Sequence, residues 1–272
     1  MKFLRKLKDE FKRHLTKPFK VAIPQEYAKD LQQWNNDRGV FSTSYQAICA
    51  VIRQNSQKTP LFYLTSKFWN LQSVIPARFK EQKAFIESAF LPKLKKSDCL
   101  LDMGCANGEW SFMFAPFVKE VRAYDYSPAL IEGAKEIHAR DFPHISNITF
   151  AQGDASSLKG EQTYDCIALM GVLSYVFKWQ EAEEIFSKLH TALRGGGGYM
   201  IYKDNTNSSA EDFYFYANRN YWMVARSRAK YLALFEKVGF KIVQEKIIHK
   251  AIEKLENEQI ETESYMCILQ KE

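Results

Sequence analysis

Asp102 and two glycines stand together in the run Leu101-Asp102-Met103-Gly104-Cys105-Ala106-Asn107-Gly108-Glu109-Trp110. A short apolar stretch, 99–101, precedes the aspartate and reads as a buried strand; a helical pattern follows to about Pro116. Glycines at such a strand-to-helix turn let backbone approach a ligand, and the amides there can meet an anion. The turn is not a dinucleotide fingerprint of the form G-x-G-x-x-G. Counted from Gly104, Ala106 stands at the second glycine position and Glu109 at the third. It is not a phosphate loop either, because no Gly-Lys-Ser/Thr follows. A second carboxylate, Asp125, closes the next apolar run 17 residues past Gly108. A carboxylate at that place can accept both hydroxyls of a ribose. Equally, Asp125 or Ser127 can cap the helix that Pro128 begins.

The elements that must position these residues alternate. Apolar runs at 99–102, 121–124, 148–151, 164–170, 199–202, 240–246 and 264–269 read as seven strands. Helical patterns lie at 79–94, after Gly108, and at 128–140, 181–193 and 227–238. This alternation predicts an α/β fold, a seven-stranded Rossmann-like doubly wound sheet whose ligand sits at the carboxyl ends of the strands. Residues 1–75 read as a basic amphipathic helix followed by a helical cap or extension, and residues 76–272 as the main domain.

Composition excludes several classes. Of 272 residues, 46% are hydrophobic and 26% charged, which is ordinary for a globular chain and not for a disordered one. No run approaches the ~18 apolar residues of a membrane span. The five cysteines lie far apart, with no C-x-x-C and no histidine at ligand spacing, so neither a disulfide framework nor a metal site is expected. The basic start lacks the apolar core of a secretory signal, and a cytoplasmic location is the expectation. The net charge of +6 resides in residues 1–20, which hold eight Lys/Arg and two acids; the rest of the chain is neutral. In that arm Phe3, Leu7, Phe11 and Leu15 form one apolar stripe, with Pro18 ending the run. Such a stripe can pack on its own domain, lie on anionic lipid at the inner membrane face or, less naturally, meet nucleic acid.

The D-x-G-x-x-x-G loop resembles the first motif of the class I S-adenosylmethionine-dependent methyltransferases. Further stretches resemble that family in the same order: the acid at the end of the second strand, Gly153-Asp154-Ala155 after the third, 164–170 as the fourth, Leu193-Arg194-Gly195-Gly196-Gly197-Gly198 before the fifth with Gly for the usual Pro, and 231–240 leading into the sixth. The resemblance covers roughly residues 76–272 and implies S-adenosyl-L-methionine as cofactor. It implies a binding set of Asp102, Gly104, Cys105, Ala106, Asn107, Gly108, Asp125, Tyr126, Gly153, Asp154, Ala155, Met170 and Gly171, with Asp125 on the ribose and Asp154 at the adenine amino group. The cofactor has no phosphate, so it needs no lysine cradle. Its carboxylate can be met by loop amides, and its ammonium by Asp102 and carbonyls near Met170-Gly171.

Methyl transfer needs alignment more than acid–base chemistry. The stretch Met170-Gly171-Val172-Leu173-Ser174-Tyr175 lacks the Asp/Asn-Pro-Pro-Tyr/Phe and Pro-Cys signatures of nucleic-acid base methyltransferases, and the neutral body offers no phosphate-tracking surface. The expected acceptor is a small molecule or glycan precursor, methylated on oxygen. Asp204 is the candidate general base and Tyr175 the candidate acceptor contact. Phe213, Tyr214, Phe215, Tyr216, Arg219, Tyr221, Trp222, Arg226 and Arg228 form an acceptor-side insertion, or else the core of a helical lid. Lys203-Asp204-Asn205 also resembles the substrate-amine segment of protein N-terminal methyltransferases, which leaves an amine acceptor as an alternative. A non-catalytic cofactor-binding subunit docking through the basic arm is another.

Overall fold

A computed structural model describes residues 20–22, 75–155, 158, 162–176, 178–217, 221–255 and 258–272. Its strands are β1 (Lys20–Ala22), β2 (Cys99–Met103), β3 (Glu120–Asp125), β4 (Ile148–Gln152), β5 (Cys166–Met170), β6 (Tyr199–Asn207), β7 (Phe213–Ala217), β8 (Tyr221–Ser227), β9 (Phe240–Leu255) and β10 (Glu258–Lys271). The helices are α1 (Ile75–Phe85), α2 (Glu109–Phe114), α3 (Pro128–Asp141), α4 (Trp179–Ala192) and α5 (Arg228–Val238). Seven strands lie in the order β4-β3-β2-β5-β6-β10-β9. Neighbours from β4 to β6 are parallel, and β10 runs antiparallel to both β6 and β9.

Period-two alternation divides the strand residues between two cores. Leu100, Ala168, Ile201 and Ile268 face Phe85, Ile86 and Phe90 from α1 and the turn after it, together with Phe112 of α2 and Ile131 of α3. Their neighbours Leu101, Ile167, Leu169, Met200, Tyr202 and Cys267 face Phe186 and Leu189 of α4 and Tyr231 and Phe235 of α5. Burying each large apolar side chain contributes roughly 1.5–3 kcal/mol over leaving it exposed. Helices on both faces explain why β2 and β5 read as continuous apolar runs. They also leave the carboxyl ends of the parallel strands as one rim.

Three expectations are corrected. The insertion after β6 is no helical lid: β7 and β8 pair as an antiparallel hairpin, and β8 joins the far end of β6 through Thr206↔Arg226 and Asn207↔Ser227. Its run of aromatic residues suits a strand. The last two strands run much further than 240–246 and 264–269. Their distal halves are Lys- and Glu-rich and read as polar, yet cross-strand pairing joins them, with Lys250 Nζ 2.6 Å from Glu261. Finally, Lys20–Ala22, inside the stretch expected as arm and helical cap, forms β1, parallel to β7, giving ten strands in one sheet. The amphipathic helix expected before it, and the helical cap or extension expected after it, lie outside the described residues. Among the described residues no helix is long and apolar enough to cross a membrane, and no cluster of acids, His and Cys could hold a metal ion.

Candidate cofactor and acceptor site

The glycine loop between β2 and α2 is tied to its neighbours by its own amides. Gly104 and Cys105 donate to the Tyr124 carbonyl at 2.7 and 3.0 Å, Gly108 donates to Cys105 O at 2.8 Å, and Ala106 donates to Asp125 Oδ2 at 2.9 Å. The other Asp125 oxygen accepts the Ser127 amide at 2.9 Å, and Ser127 Oγ caps α3 by accepting from Leu130. Asp125 therefore joins the loop to the β3–α3 turn, and of the two capping candidates it is Ser127 that caps the helix. Gly104 and Gly108 are left-handed, at φ 81° and 84°. A Cβ on Gly104 would lie 2.2 Å from Val172 Cγ2, and one on Gly108 2.7 Å from Phe150 Cζ. The fold itself thus demands both glycines. Ala106 adopts φ 49° without being glycine.

Around the loop, polar groups are buried without partners. Asp102 is 1% exposed; its Oδ2 accepts from Ser111 Oγ at 2.5 Å, while Oδ1 has no partner. Asn107 is fully buried and neither amide atom is bonded. Glu109, opening α2, is buried with Oε1 bare. Desolvation pushes Glu109 up to about 8, Asp102 to about 7 and Asp125 to about 6. Burial also drives the Cys105 thiol upward, and the Asp102, Asp125 and Glu109 carboxylates add to it. Among the described residues no basic side chain forms an ion pair with these three acids. Orphaned buried acceptors beside a fully buried amide fit a ligand that brings its own donors and positive charge, which S-adenosylmethionine does.

The other positions expected from the sequence lie along the same rim. Gly153, just after β4, donates to Asp125 O at 3.0 Å. The Tyr126 carbonyl accepts from Gln152 Nε2 at 3.2 Å. Asp154 is half-buried and Ala155 buried. Met170 ends β5, and Gly171, at φ 82°, donates to Lys203 O at 2.7 Å. One detail differs from expectation. Four of the five amides from Gly104 to Gly108 are turned inward, so the loop has little left for a carboxylate.

Across the rim stands the turn after β5. Asp204 of β6 is fully buried and accepts four hydrogen bonds, from the amides of Leu173 (2.7 Å), Ser174 (3.1 Å) and Asn205 (2.8 Å) and from Ser174 Oγ. Three of the four bonds tie β6 to that turn, and burial pushes the carboxyl above its ordinary range. The expected general base is thus engaged in holding the turn after β5. Arg226 of β8, also fully buried, donates to Leu173 O at 2.9 Å and to Val176 O. The sequence places it in the acceptor-side insertion; in the structure it closes the turn. Arg228 is likewise committed, 3.4 Å from the buried Glu263. Tyr175 rides on the turn, half-buried. Sequence reasoning missed Glu109, although its position where a dinucleotide loop would carry glycine was a usable signal. Nothing local marked Arg226 as structural.

The strand order with an antiparallel β10 and the rim of loop, acids and glycines define a Rossmann-like methyltransferase fold. A family model described as a methyltransferase domain matches residues 77–245, and the chain belongs to that family, the class I S-adenosylmethionine-dependent methyltransferases. Solved structures agree on the fold. A protein from Pyrococcus horikoshii is 18% identical, with a TM-score of 0.55 over 79% of this chain and 99% of its own. A SAM-dependent methyltransferase from Methanosarcina mazei is 18% identical, with a TM-score of 0.54 over 66% of this chain and 95% of its own. One from Leishmania major is 15% identical, with a TM-score of 0.56 over 89% of each chain. No curated protein matches by sequence. The chain is thus an enzyme that uses S-adenosylmethionine and transfers its methyl group to an acceptor.

Proposed function

We propose that the acceptor is a small molecule or glycan precursor and that the methyl group goes to one of its oxygens. The observation that carries this reading is the acceptor-side turn. The turn of Val172, Leu173, Ser174, Tyr175 and Val176 is tied by Asp204 and Arg226, and its Val172 stands against Gly104 of the glycine loop. Tyr175 contacts and aligns the acceptor in this reading. Asp102, Asn107, Asp125 and Asp154 hold the cofactor, with the backbone of the glycine loop and of Gly153 and Gly171 shaping its bed. When bound, S-adenosylmethionine supplies an electrophilic methyl on a sulfonium. The residues of this chain orient the two partners and exclude water. The amine alternative draws less support, because the carboxylate it would place on the substrate amine is Asp204, which is bonded internally.

Incubation with methyl-labelled cofactor and parallel panels of hydroxylated small molecules, glycan precursors and synthetic N-terminal peptides tests this. Label on a hydroxyl supports the proposal; label on a peptide amine replaces it. No transfer to any panel by a cofactor-binding protein favours a non-catalytic subunit. The basic arm is a separate proposal, as a peripheral contact with anionic lipid. Vesicle sedimentation of the full chain should exceed that of a version lacking residues 1–20, and equal pelleting sinks the idea.

A further inference from the structure

Three side chains with unpartnered polar atoms meet at the glycine loop: Asp102 with Oδ1 from β2, Asn107 with both amide atoms from the loop, and Glu109 with Oε1 from the first turn of α2. They are 1%, 0% and 5% exposed. An orphaned buried polar group costs about 1–3 kcal/mol, so a native fold retains several together only where something completes them. The groups facing Glu109 are acids. Asp102 opposes its ionisation from β2, and Asp102, Asp125 from β3 and Glu109 all act on the Cys105 thiol between them. Two bare carboxylate oxygens and a bare primary amide, with no ion-paired cation among the described residues, are complementary to a zwitterion. The carboxylates fit an ammonium, and the amide N–H₂ fits a carboxylate that the inward-turned loop amides no longer serve.

We propose that Glu109 and Asn107 determine specificity for the amino-acid end of the cofactor: Glu109 shares the ammonium with Asp102, and the Asn107 side chain donates to the carboxylate. This rests on the cofactor assignment above and adds a residue to it. It carries a proton consequence. Burial keeps Glu109, and in part Asp102, in the protonated form near neutral pH in the free protein. An arriving ammonium favours the carboxylates, their O–H bonds break, and the protons pass to the buffer.

The test is calorimetric titration of S-adenosylhomocysteine into the full chain near neutral pH, in two buffers of different ionisation enthalpy. The deaminated analogue and methylthioadenosine, which lacks the amino-acid end, run in parallel. Wild type should release protons with S-adenosylhomocysteine and none with methylthioadenosine. Glu109→Gln should bind S-adenosylhomocysteine about tenfold more weakly, release fewer protons and bind methylthioadenosine unchanged. Equal affinity and equal release in the two proteins overturns the inference, while methylthioadenosine binding keeps the nucleoside site standing. No binding of any of these ligands to wild type removes the cofactor assignment and this inference together. Should Glu109→Gln fail to fold, wild type alone decides. Loss of proton release with the deaminated analogue supports the ammonium role, and undiminished release overturns it.

Discussion

Glu109 and Asp204 are both buried acids on the same rim, and they differ in every other respect. Asp204 accepts four hydrogen bonds and anchors a turn whose carbonyls are held in turn by Arg226. Glu109, like its neighbours Asp102 and Asn107, leaves a polar atom bare in the interior. Burial alone therefore does not mark a functional carboxylate. Where every lone pair is used, the acid is architecture, and removing it should injure the fold. Where an atom is left without a partner, the chain is carrying a deficit that something outside it makes good, and removing the charge should relieve the free protein while harming binding.

The widest separation should come from the architectural pair. Asp204→Ala and Arg226→Met each strand buried partners, at a cost of about 3–5 kcal/mol. Differential scanning calorimetry should show Tm falling by roughly 10 °C. A drop of under 2 °C in both would erase the distinction. Next, Asp125→Ala should weaken S-adenosylmethionine by roughly a hundredfold if Asp125 accepts the ribose as proposed, because it also frees the Ala106 amide it holds; calorimetric titration reads this directly.

The third contrast is in pH. Glu109 lies at about 8 in the folded protein against an ordinary 4.5, Asp102 at about 7 and Asp125 at about 6 against 3.8. Between those limits the folded chain binds more protons than the unfolded one, so the cofactor-free protein should lose stability as pH rises from about 5 to about 8. Glu109→Gln should flatten the upper part of that slope and raise Tm at about pH 8 by a few degrees. A Tm lowered at every pH would class Glu109 with Asp204. The smallest effect concerns Ala106. Glycine there removes the left-handed strain and gains about 0.5–1 kcal/mol. Tm should rise by roughly 2 °C, with cofactor affinity within about twofold.

Much of the sheet was legible because short runs such as 99–103 and 166–170 are almost continuously apolar, and because Ser127-Pro128 starts a helix by well-understood capping. The loop was legible for the same reason, since a strand, two glycines and a helix can be read without knowing a neighbour. The distal ribbon of β9 and β10 was not, since its stability lies in cross-strand pairs such as Lys250 with Glu261, 11 residues apart. The β7–β8 hairpin was hidden, although its aromatic runs suit a strand, because the pairs that place it, Thr206 with Arg226 and Asn207 with Ser227, are not local. The partners of Asp204 were hidden for a related reason. An acid at the end of a central strand looks available until its partners, some 30 residues away at Leu173 and Ser174, are known.

The position of β10 has a bearing on how the chain reaches this state. β10 lies between β6 and β9, and Tyr265 through Leu269 are completely buried there. β9 precedes it in the chain yet has no place in the sheet until β10 arrives, so the two are best placed to assemble as a ribbon and dock together. During synthesis the open side of β6, with Met200, Ile201 and Tyr202, must wait as an unpaired edge. Non-local closure of this kind slows folding and exposes an aggregation-prone strand in the interval. The Lys and Glu side chains along β9, the outer strand of that ribbon, blunt the free edge the finished sheet keeps.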